Sequence, residues 1–174
     1  MHAFASAQQQ LKQAVDAFAA TADSFPDAKW HAPRQAGKWS AAEITVHLIK
    51  AFEAGERELK GGGPMQMRLA GWKLLYARWI VLRRMLKTRA FPTGARAPRE
   101  TRPEDALPGR TEAVKLFRAA AASFERATAA AYETRPRTTL THPYFGGMGL
   151  ADSVLLAAIH IEHHHKQIMV TDDR

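Results

Sequence analysis

Apolar residues recur at helical spacing through most of this 174-residue chain, and proline or glycine interrupts the pattern between segments. The pattern predicts helices over about 8–25, 41–60, 67–87, 111–132 and 150–170. No segment shows the alternation of a convincing strand, so we expect an all-α helical bundle in one domain, 1–174. Residues 66–108, a basic helix and a proline-rich connection, would be an insertion between the four core helices.

The second predicted helix has the clearest start. Ser40 is followed three residues later by Glu43, and this capping-box spacing places the first helical residue at Ala41. Thr111 is the expected cap of the fourth helix.

The composition excludes several kinds of site. The chain has no cysteine, which excludes disulfides, thiolate metal sites and cysteine nucleophiles, and fits a reducing compartment. No window of about 18 residues is apolar enough to span a membrane, and the N-terminus lacks the pattern of a signal peptide. We therefore expect a cytoplasmic protein.

The positive charge is concentrated in one segment. Residues 66–102 hold ten Lys/Arg against one acid, Glu100, a net charge of +9 in a chain whose total is +8. A helix with Trp72, Tyr76 and Trp79 among arginines is typical of a membrane-surface or acidic-partner helix. The favoured interpretation is an amphipathic helix whose apolar side closes the bundle, so we expect neither a membrane-surface nor a nucleic-acid partner.

Four of the eight histidines fall within six residues of the last predicted helix. His160 and His164 are four residues apart, so their imidazoles project from one face as a pair of potential metal ligands. At about 100° per residue, His164 lies in the core stripe and His160 on its flank. His47 flanks the core face of the second helix and could supply a third nitrogen. Three neutral imidazoles leave positions open for water or substrate, as catalytic sites do.

Spacing alone leaves this assignment open. A single histidine on a helix flank, such as His47, is more often a hydrogen-bonded core or boundary residue, and the histidine run could equally be a solvated helix end. Glu43, one turn before His47, could orient that imidazole, although the capping box is the simpler role for it. His163 and Gln167 lie near the ligand flank, where either could contact a substrate or a partner subunit.

Beyond spacing, the chain resembles the DinB-like (YfiT-like) superfamily of metal-binding four-helix bundles. The motifs that carry the resemblance are Trp39-Ser40-x-x-Glu43-Ile44-x-x-His47-Leu48, His142-Pro143-Tyr144-Phe145-Gly146 and His160-x-x-His163-His164-x-x-Gln167-Ile168. The basic segment is not part of that signature, and Gly149 stands where the family usually has a Ser or Thr cap. Position by position, the resemblance implies that His47, His160 and His164 hold a divalent metal, commonly zinc or nickel, and that His163 is not a ligand.

The resemblance also implies a range of activities. Members of the superfamily include S-transferases that conjugate low-molecular-weight thiols such as bacillithiol or mycothiol to electrophiles, and others resemble hydrolases or isomerases. We therefore expect metal-dependent thiol transfer, or hydrolysis of a small-molecule substrate, at the three-histidine site. The alternative is a non-catalytic metal-binding stress-response or interaction protein, in which the site would be filled and dry and not open to a cavity.

Apolar residues surround the last predicted helix on nearly all sides, with Leu155, Leu156 and Ile159 off the core stripe. A helix of this kind is either deeply buried or paired with another chain. The pattern favours a homodimer, unless the basic helix covers these residues within one chain.

Overall fold

The structure, a computed structural model, describes residues 2–92, 96–104 and 106–169. Its elements are, in order, α1 His2–Asp23, α2 Asp27–Trp30, α3 Ala41–Leu59, α4 Gly71–Tyr76, a π-helical segment Ala77–Leu82, α5 Arg83–Thr88, a 3-10 turn Arg99–Thr101, α6 Arg110–Thr134, β1 Thr139–His142, β2 Gly146–Gly149 and α7 Leu150–Met169. The four long helices α1, α3, α6 and α7 form a bundle, which confirms the predicted all-α class. The predicted end of the last helix at 170 lies outside the described residues.

The apolar faces of the long helices hold the bundle together. Helix α1 packs against α7 and α6, and α3 packs against α6, whereas α3 and α7 approach each other at few points. Phe18 of α1 and Phe52 of α3 converge on Phe117 of α6, with ring centroids 4.9 Å and 6.0 Å from that ring. Burial of these large aromatic rings removes much apolar area from water, so the core forms here. The side between α3 and α7 is not packed in this way and is open to a cavity.

The long helices α3 and α6 begin in different ways. Ser40 Oγ accepts a hydrogen bond from Glu43 N at 3.2 Å, and the Glu43 carboxylate accepts one from Ser40 N at 2.7 Å, which confirms the capping box. Helix α6 begins at Arg110 with Gly109 as its N-cap, so the prediction of a Thr111 cap is wrong. Glycine lacks a capping side chain but is a tolerated residue at this position.

A short antiparallel hairpin, β1 paired with β2, precedes α7, so the expectation of no strand is wrong. Leu140 pairs with Met148, and both side chains are buried. Thr141 donates from its backbone N and its Oγ1 to the Glu58 carboxylate of α3, over 2.7–3.1 Å. Gly146, the first residue of β2 after a three-residue loop, has a φ of +70°, a left-handed conformation that glycine adopts with least strain.

The helix of the basic segment differs in phase from the prediction. The sequence predicted one helix over 67–87 with Trp72, Trp79 and Leu82 on the same side, whereas the helix begins at Gly71 and contains the π-helical segment. Because π turns are wider than α turns, they shift the angular positions of the residues that follow. Leu82 is buried, while Trp72 and Trp79 are exposed.

The inward side of this helix covers α7. A second apolar cluster forms there from Ala77, Leu82, Met85, Phe145, Met148 and Leu156. Arg89, just after α5, donates to the Glu162 carboxylate of α7 at 2.9 Å and to Gln10 Oε1 of α1 at 2.7 Å. Coverage within one chain therefore accounts for the burial of Leu156, and the homodimer stays a prediction. Over the described ranges, no helix has the length and apolar character needed to cross a membrane.

A close approach of α3 to α6 provides a test of this packing. A Cβ atom at Gly55 would lie 2.8 Å from Cε2 of Phe124. We expect Gly55→Val to lower the free energy of unfolding by about 1–3 kcal/mol, because overpacking displaces the buried ring. Urea denaturation measures the change. Gly63→Val is the matched control, since a Cβ there meets nothing within 4 Å, and it should change stability by less than about 0.5 kcal/mol. Equal effects of the two substitutions would contradict the close approach.

Candidate metal centre

Three histidines from two helices converge in the space between α3 and α7. His160 Nε2 lies 3.0 Å from Nε2 of His47 and 3.1 Å from Nε2 of His164. One ring nitrogen of each histidine falls within 4.8 Å of the other two. His47 and His164 are buried, and His160 is partly exposed to the cavity. The structure thus brings together the three side chains that the sequence singled out.

The outward nitrogens of two of these rings are held by hydrogen bonds. His47 Nδ1 donates to the backbone carbonyl oxygen of Thr101 at 2.8 Å, and His164 Nδ1 donates to Gln167 Oε1 at 2.8 Å. A neutral imidazole carries one proton, so both rings turn an Nε2 lone pair towards His160. Hydrogen bonds of this kind fix the tautomer and the orientation of histidine ligands in metal sites.

The set of donor atoms fits a divalent cation. The Nε2 lone pairs of His47 and His164 both face His160 Nε2, which carries at most one proton. One proton cannot satisfy two acceptors equally, whereas a cation shared by the three nitrogens satisfies them all. Within the described ranges, no carboxylate joins the cluster. The cluster can therefore hold a divalent metal through three neutral imidazoles, an arrangement that leaves coordination positions free.

Burial keeps these imidazoles neutral. Loss of water lowers the pKa of His164 to about 3 and the pKa of His160 well below 6.5. Burial also lowers the pKa of His47, and its hydrogen bond to Thr101 opposes part of that effect. Since protons compete with metal ions for imidazole nitrogens, low pKa values leave all three nitrogens free to bind a metal near neutral pH.

The group that orients His47 is not the one that the sequence suggested. Glu43 was a candidate for this role, but its carboxylate accepts the Ser40 backbone N–H in the capping box. The carbonyl oxygen of Thr101, in the 3-10 turn Arg99–Thr101, accepts a hydrogen bond from the His47 ring. A backbone carbonyl in an irregular connection has no side-chain signature, so no signal in the sequence marks Thr101.

His163 and Gln167 lie beside the cluster and both contribute to the cavity wall. The Gln167 amide bridges two rings, because its Oε1 accepts from His164 Nδ1 and its Nε2 donates to His163 Nε2 at 3.0 Å. His163 does not belong to the three-histidine cluster. Contact of either side chain with a substrate stays a prediction.

Aromatic rings close the sides of the cluster. Trp39 lies 4.9 Å from the His47 ring and 6.3 Å from the His164 ring, measured between centroids. Phe91, which follows α5, lies 5.4 Å from the His160 ring. Trp39 begins the first of the family motifs, whereas nothing in the sequence distinguishes Phe91. These rings limit the access of water to the imidazoles from the sides.

A cavity of about 1460 Å³ opens over the cluster, with mainly apolar and aromatic walls. His142, which the sequence analysis noted only as part of a loop motif, lies in this wall. Its Nδ1 accepts the Tyr144 backbone N–H at 3.2 Å, so the proton of the neutral ring is on Nε2. Burial lowers the pKa of His142 to about 4. His142 is therefore a neutral hydrogen-bond donor near neutral pH.

The sequence as a whole matches a known protein family. A family model described as the DinB superfamily matches residues 10–168. The chain belongs to the DinB superfamily. None of the curated proteins is detectably similar to it in sequence.

Two solved structures share the fold over nearly the whole chain. TT2238, described as a four-helix bundle protein, superposes with a TM-score of 0.59 at 20% identity, covering 97% of this chain and 99% of its own. YfiT from Bacillus subtilis superposes with a TM-score of 0.58 at 12% identity, covering 94% of this chain and 82% of its own. YfiT is described as a probable metal-dependent hydrolase with an unusual four-helix bundle topology. At these identities the likeness concerns the fold alone.

The first prediction for the site is its metal content. Protein purified without chelator or nickel resin should hold about one divalent ion per chain, and His160→Gln should lose it, because two imidazoles bind a divalent ion far more weakly than three. Elemental analysis measures both. His165→Gln is the matched control on the same helix, since His165 hydrogen-bonds to Thr21 of α1 at 2.7 Å, and it should keep the ion. A wild-type protein that takes up no metal on titration would refute the site.

Lowering the pH should destabilise the metal-free protein. Unfolded histidines titrate near pH 6.5, whereas burial lowers the pKa of His142 to about 4 and that of His164 to about 3. Below pH 6.5 the unfolded chain therefore binds protons that the folded chain does not. Each such histidine lowers the free energy of unfolding by up to about 1.4 kcal/mol per pH unit as the pH falls.

Urea denaturation of chelator-treated protein, between pH 6.5 and about 5, measures this slope. The unperturbed pKa values of carboxyl groups lie at about 4, so carboxyl groups of the unfolded chain add little to the slope above about pH 5. His164→Gln should show a shallower slope, by up to about one proton. Stability that rises or stays constant as the pH falls through this window would contradict neutral buried rings.

Proposed function

We propose that this protein is a divalent-metal-dependent enzyme that transfers a low-molecular-weight thiol to an electrophilic small molecule. The observation that carries the proposal is the open cavity over the three histidines, with His142, His163 and Gln167 in its wall. A concave, mainly apolar pocket with a few convergent polar groups is the usual form of a small-molecule site. A metal with a purely structural role would sit in a filled site, so the cavity favours catalysis over the non-catalytic alternative.

The charge of the wall favours thiol transfer over hydrolysis. Hydrolysis at a metal centre commonly uses a carboxylate as the general base for the attacking water. Within the described part of the chain, Glu58 is the only acidic residue in the cavity wall, and Thr141 occupies its carboxylate with three hydrogen bonds. A metal held by the three histidines would favour loss of the thiol proton, so transfer would not need such a carboxylate. Hydrolysis remains the second candidate, favoured by the likeness to YfiT.

A divalent metal at the histidines, with zinc and nickel proposed because both bind imidazole, would supply a Lewis acid that lowers the pKa of a thiol. Thr101 and Gln167 hold His47 and His164 in the required tautomers. The Nε2–H of His142 can donate to negative charge that develops on the electrophile. In the transfer a sulfur–carbon bond forms, the leaving group departs with its bonding electrons, and the thiol proton passes to solvent.

Thiol binding and turnover test the proposal together. Addition of bacillithiol, mycothiol or N-acetylcysteine to cobalt-loaded protein should produce thiolate-to-metal charge-transfer absorption. The zinc-loaded protein should accelerate the conjugation of at least one of these thiols to monochlorobimane. His142→Phe should lower that rate by about a hundredfold and keep the metal, because a donor to developing charge is lost. His165→Gln is the control and should retain the rate.

Three results would argue against thiol transfer. Cobalt-loaded protein whose spectrum no thiol changes would remove the proposed substrate from the metal. Thiol-independent cleavage of p-nitrophenyl acetate, lost in His160→Gln, would favour hydrolysis. Metal-loaded protein that accelerates neither reaction would favour the non-catalytic alternative.

A further inference from the structure

The helix of the inserted segment carries a row of large apolar side chains on its solvent side. We call this row the outer stripe, and it consists of Trp72, Leu75, Tyr76, Trp79 and Ile80. Each of the five side chains is more than half exposed, and Trp72 is 72% exposed. Their spacing of three and four residues places them along one side of the helix. Exposed apolar residues usually occur singly, so a continuous row that includes three aromatic rings indicates an interaction surface.

The fold does not need the outer stripe. The opposite side of the same helix already packs on the bundle, where Ala77, Leu82 and Met85 contact Leu156 of α7 and the hairpin. The helix therefore has two apolar sides. One packs against the rest of the chain, and the other is mainly exposed to solvent, with Trp72 and Tyr76 also at the cavity wall. The sequence predicted a single apolar side that closes the bundle, and that side accounts for only half of the apolar residues of this helix.

The charge around the outer stripe is entirely positive. Lys73, Arg78, Arg83, Arg84 and Lys87 are all exposed on this helix, and residues 61–99 contain no Asp or Glu. Among the described residues, none of these five cations forms a salt bridge. The Arg83 guanidinium lies over the Trp79 ring, 4.5 Å from its centroid. The surface is thus apolar along its centre and cationic around it.

We propose that the outer stripe binds the surface of an anionic lipid bilayer, with the helix lying in the plane of the interface. Trp and Tyr rings favour the headgroup level, aliphatic Leu75 and Ile80 favour the acyl boundary, and Lys and Arg bind headgroup phosphates. The proposed binding is peripheral, because the apolar side chains lie along one side of the helix and the cations lie around them. The attraction is complementary in charge, since the helix has five cations and no acid.

Two other occupants fit the surface less well. In a two-fold dimer through the outer stripe, the five cations of one helix would face the same five of the other with no acid between them, and like charges would repel. A single-stranded nucleic acid binds in grooves where aromatic rings stack on bases. Here the surface is one convex helix, and Leu75 and Ile80 in its middle gain nothing from bases or phosphates.

The outer stripe adjoins the cavity. Trp72, Lys73 and Tyr76 belong both to this helix and to the cavity wall. A bilayer bound at the outer stripe would therefore lie next to the entrance of the histidine site. Binding to lipid requires neither the metal nor thiol transfer, so failure of one proposal leaves the other standing.

Vesicle sedimentation with the full chain tests the proposal. Wild-type protein should sediment with phosphatidylcholine vesicles that contain phosphatidylglycerol, and not with pure phosphatidylcholine vesicles. Its tryptophan fluorescence should shift to shorter wavelength on binding, and binding should weaken at high salt because the lipid surface potential is screened. Equal binding to both vesicles, or binding to neither, would overturn the proposal without the use of any variant.

Variants locate the surface. Arg83→Glu/Arg84→Glu should lower the partition coefficient on anionic vesicles by about tenfold or more, and Trp72→Gln/Trp79→Gln should lower it while removing the fluorescence shift. Lys115→Glu/Arg126→Glu on α6 is the control with the same change in net charge, and it should bind within about twofold of wild type. Unchanged far-ultraviolet circular dichroism verifies folding.

Three outcomes would overturn the assignment. One is a control variant that loses as much binding as the Arg83→Glu/Arg84→Glu variant. Another is a wild-type dimer in analytical ultracentrifugation that Trp72→Gln/Trp79→Gln converts to a monomer, since a second copy would then occupy the stripe. The third is tighter binding to a single-stranded oligonucleotide than to anionic vesicles.

Discussion

Burial of α7 on several sides at once is the constraint on which the other elements depend. Its apolar residues leave few positions for solvent, so α1 covers one side, and the helix of the basic segment and the hairpin cover another. The remaining side faces α3 across a gap that apolar packing does not close. The imidazoles of His47, His160 and His164 lie in that gap, and the cavity opens over them. Because the other sides of α7 are packed, the site forms on the side that faces α3.

Much of this arrangement follows from local sequence patterns. The four long helices have strong apolar periodicity, and Ser40 with Glu43 defines the start of α3 because both hydrogen bonds of the capping box lie within four residues. The helix period also places His47, His160 and His164 each beside a core face, but it leaves open whether they converge. Periodicity could not identify which helices are neighbours, and the family motifs supplied that.

What the sequence could not supply depends on contacts between distant residues. The hairpin has four-residue strands, one of them Gly-rich, and its attachment to Glu58 of α3 is invisible in local patterns. The π-helical segment changes which side chains face the bundle, and no propensity predicts its position. The contact of Thr101 with His47 uses a backbone carbonyl, a group that every residue has.

The hydrogen bond from His47 to Thr101 also has a thermodynamic consequence. It joins a histidine of the candidate metal centre to the same basic segment, 66–108, that carries the outer stripe. An ion that favours the orientation of His47 set by this bond also favours the docked position of the 3-10 turn, Arg99–Thr101. By reciprocity of binding free energies, any partner that stabilises the docked segment raises the affinity of the histidines for the ion by the same factor. If a partner at the outer stripe holds the 3-10 turn in its docked position, its binding and the occupancy of the buried centre are linked equilibria.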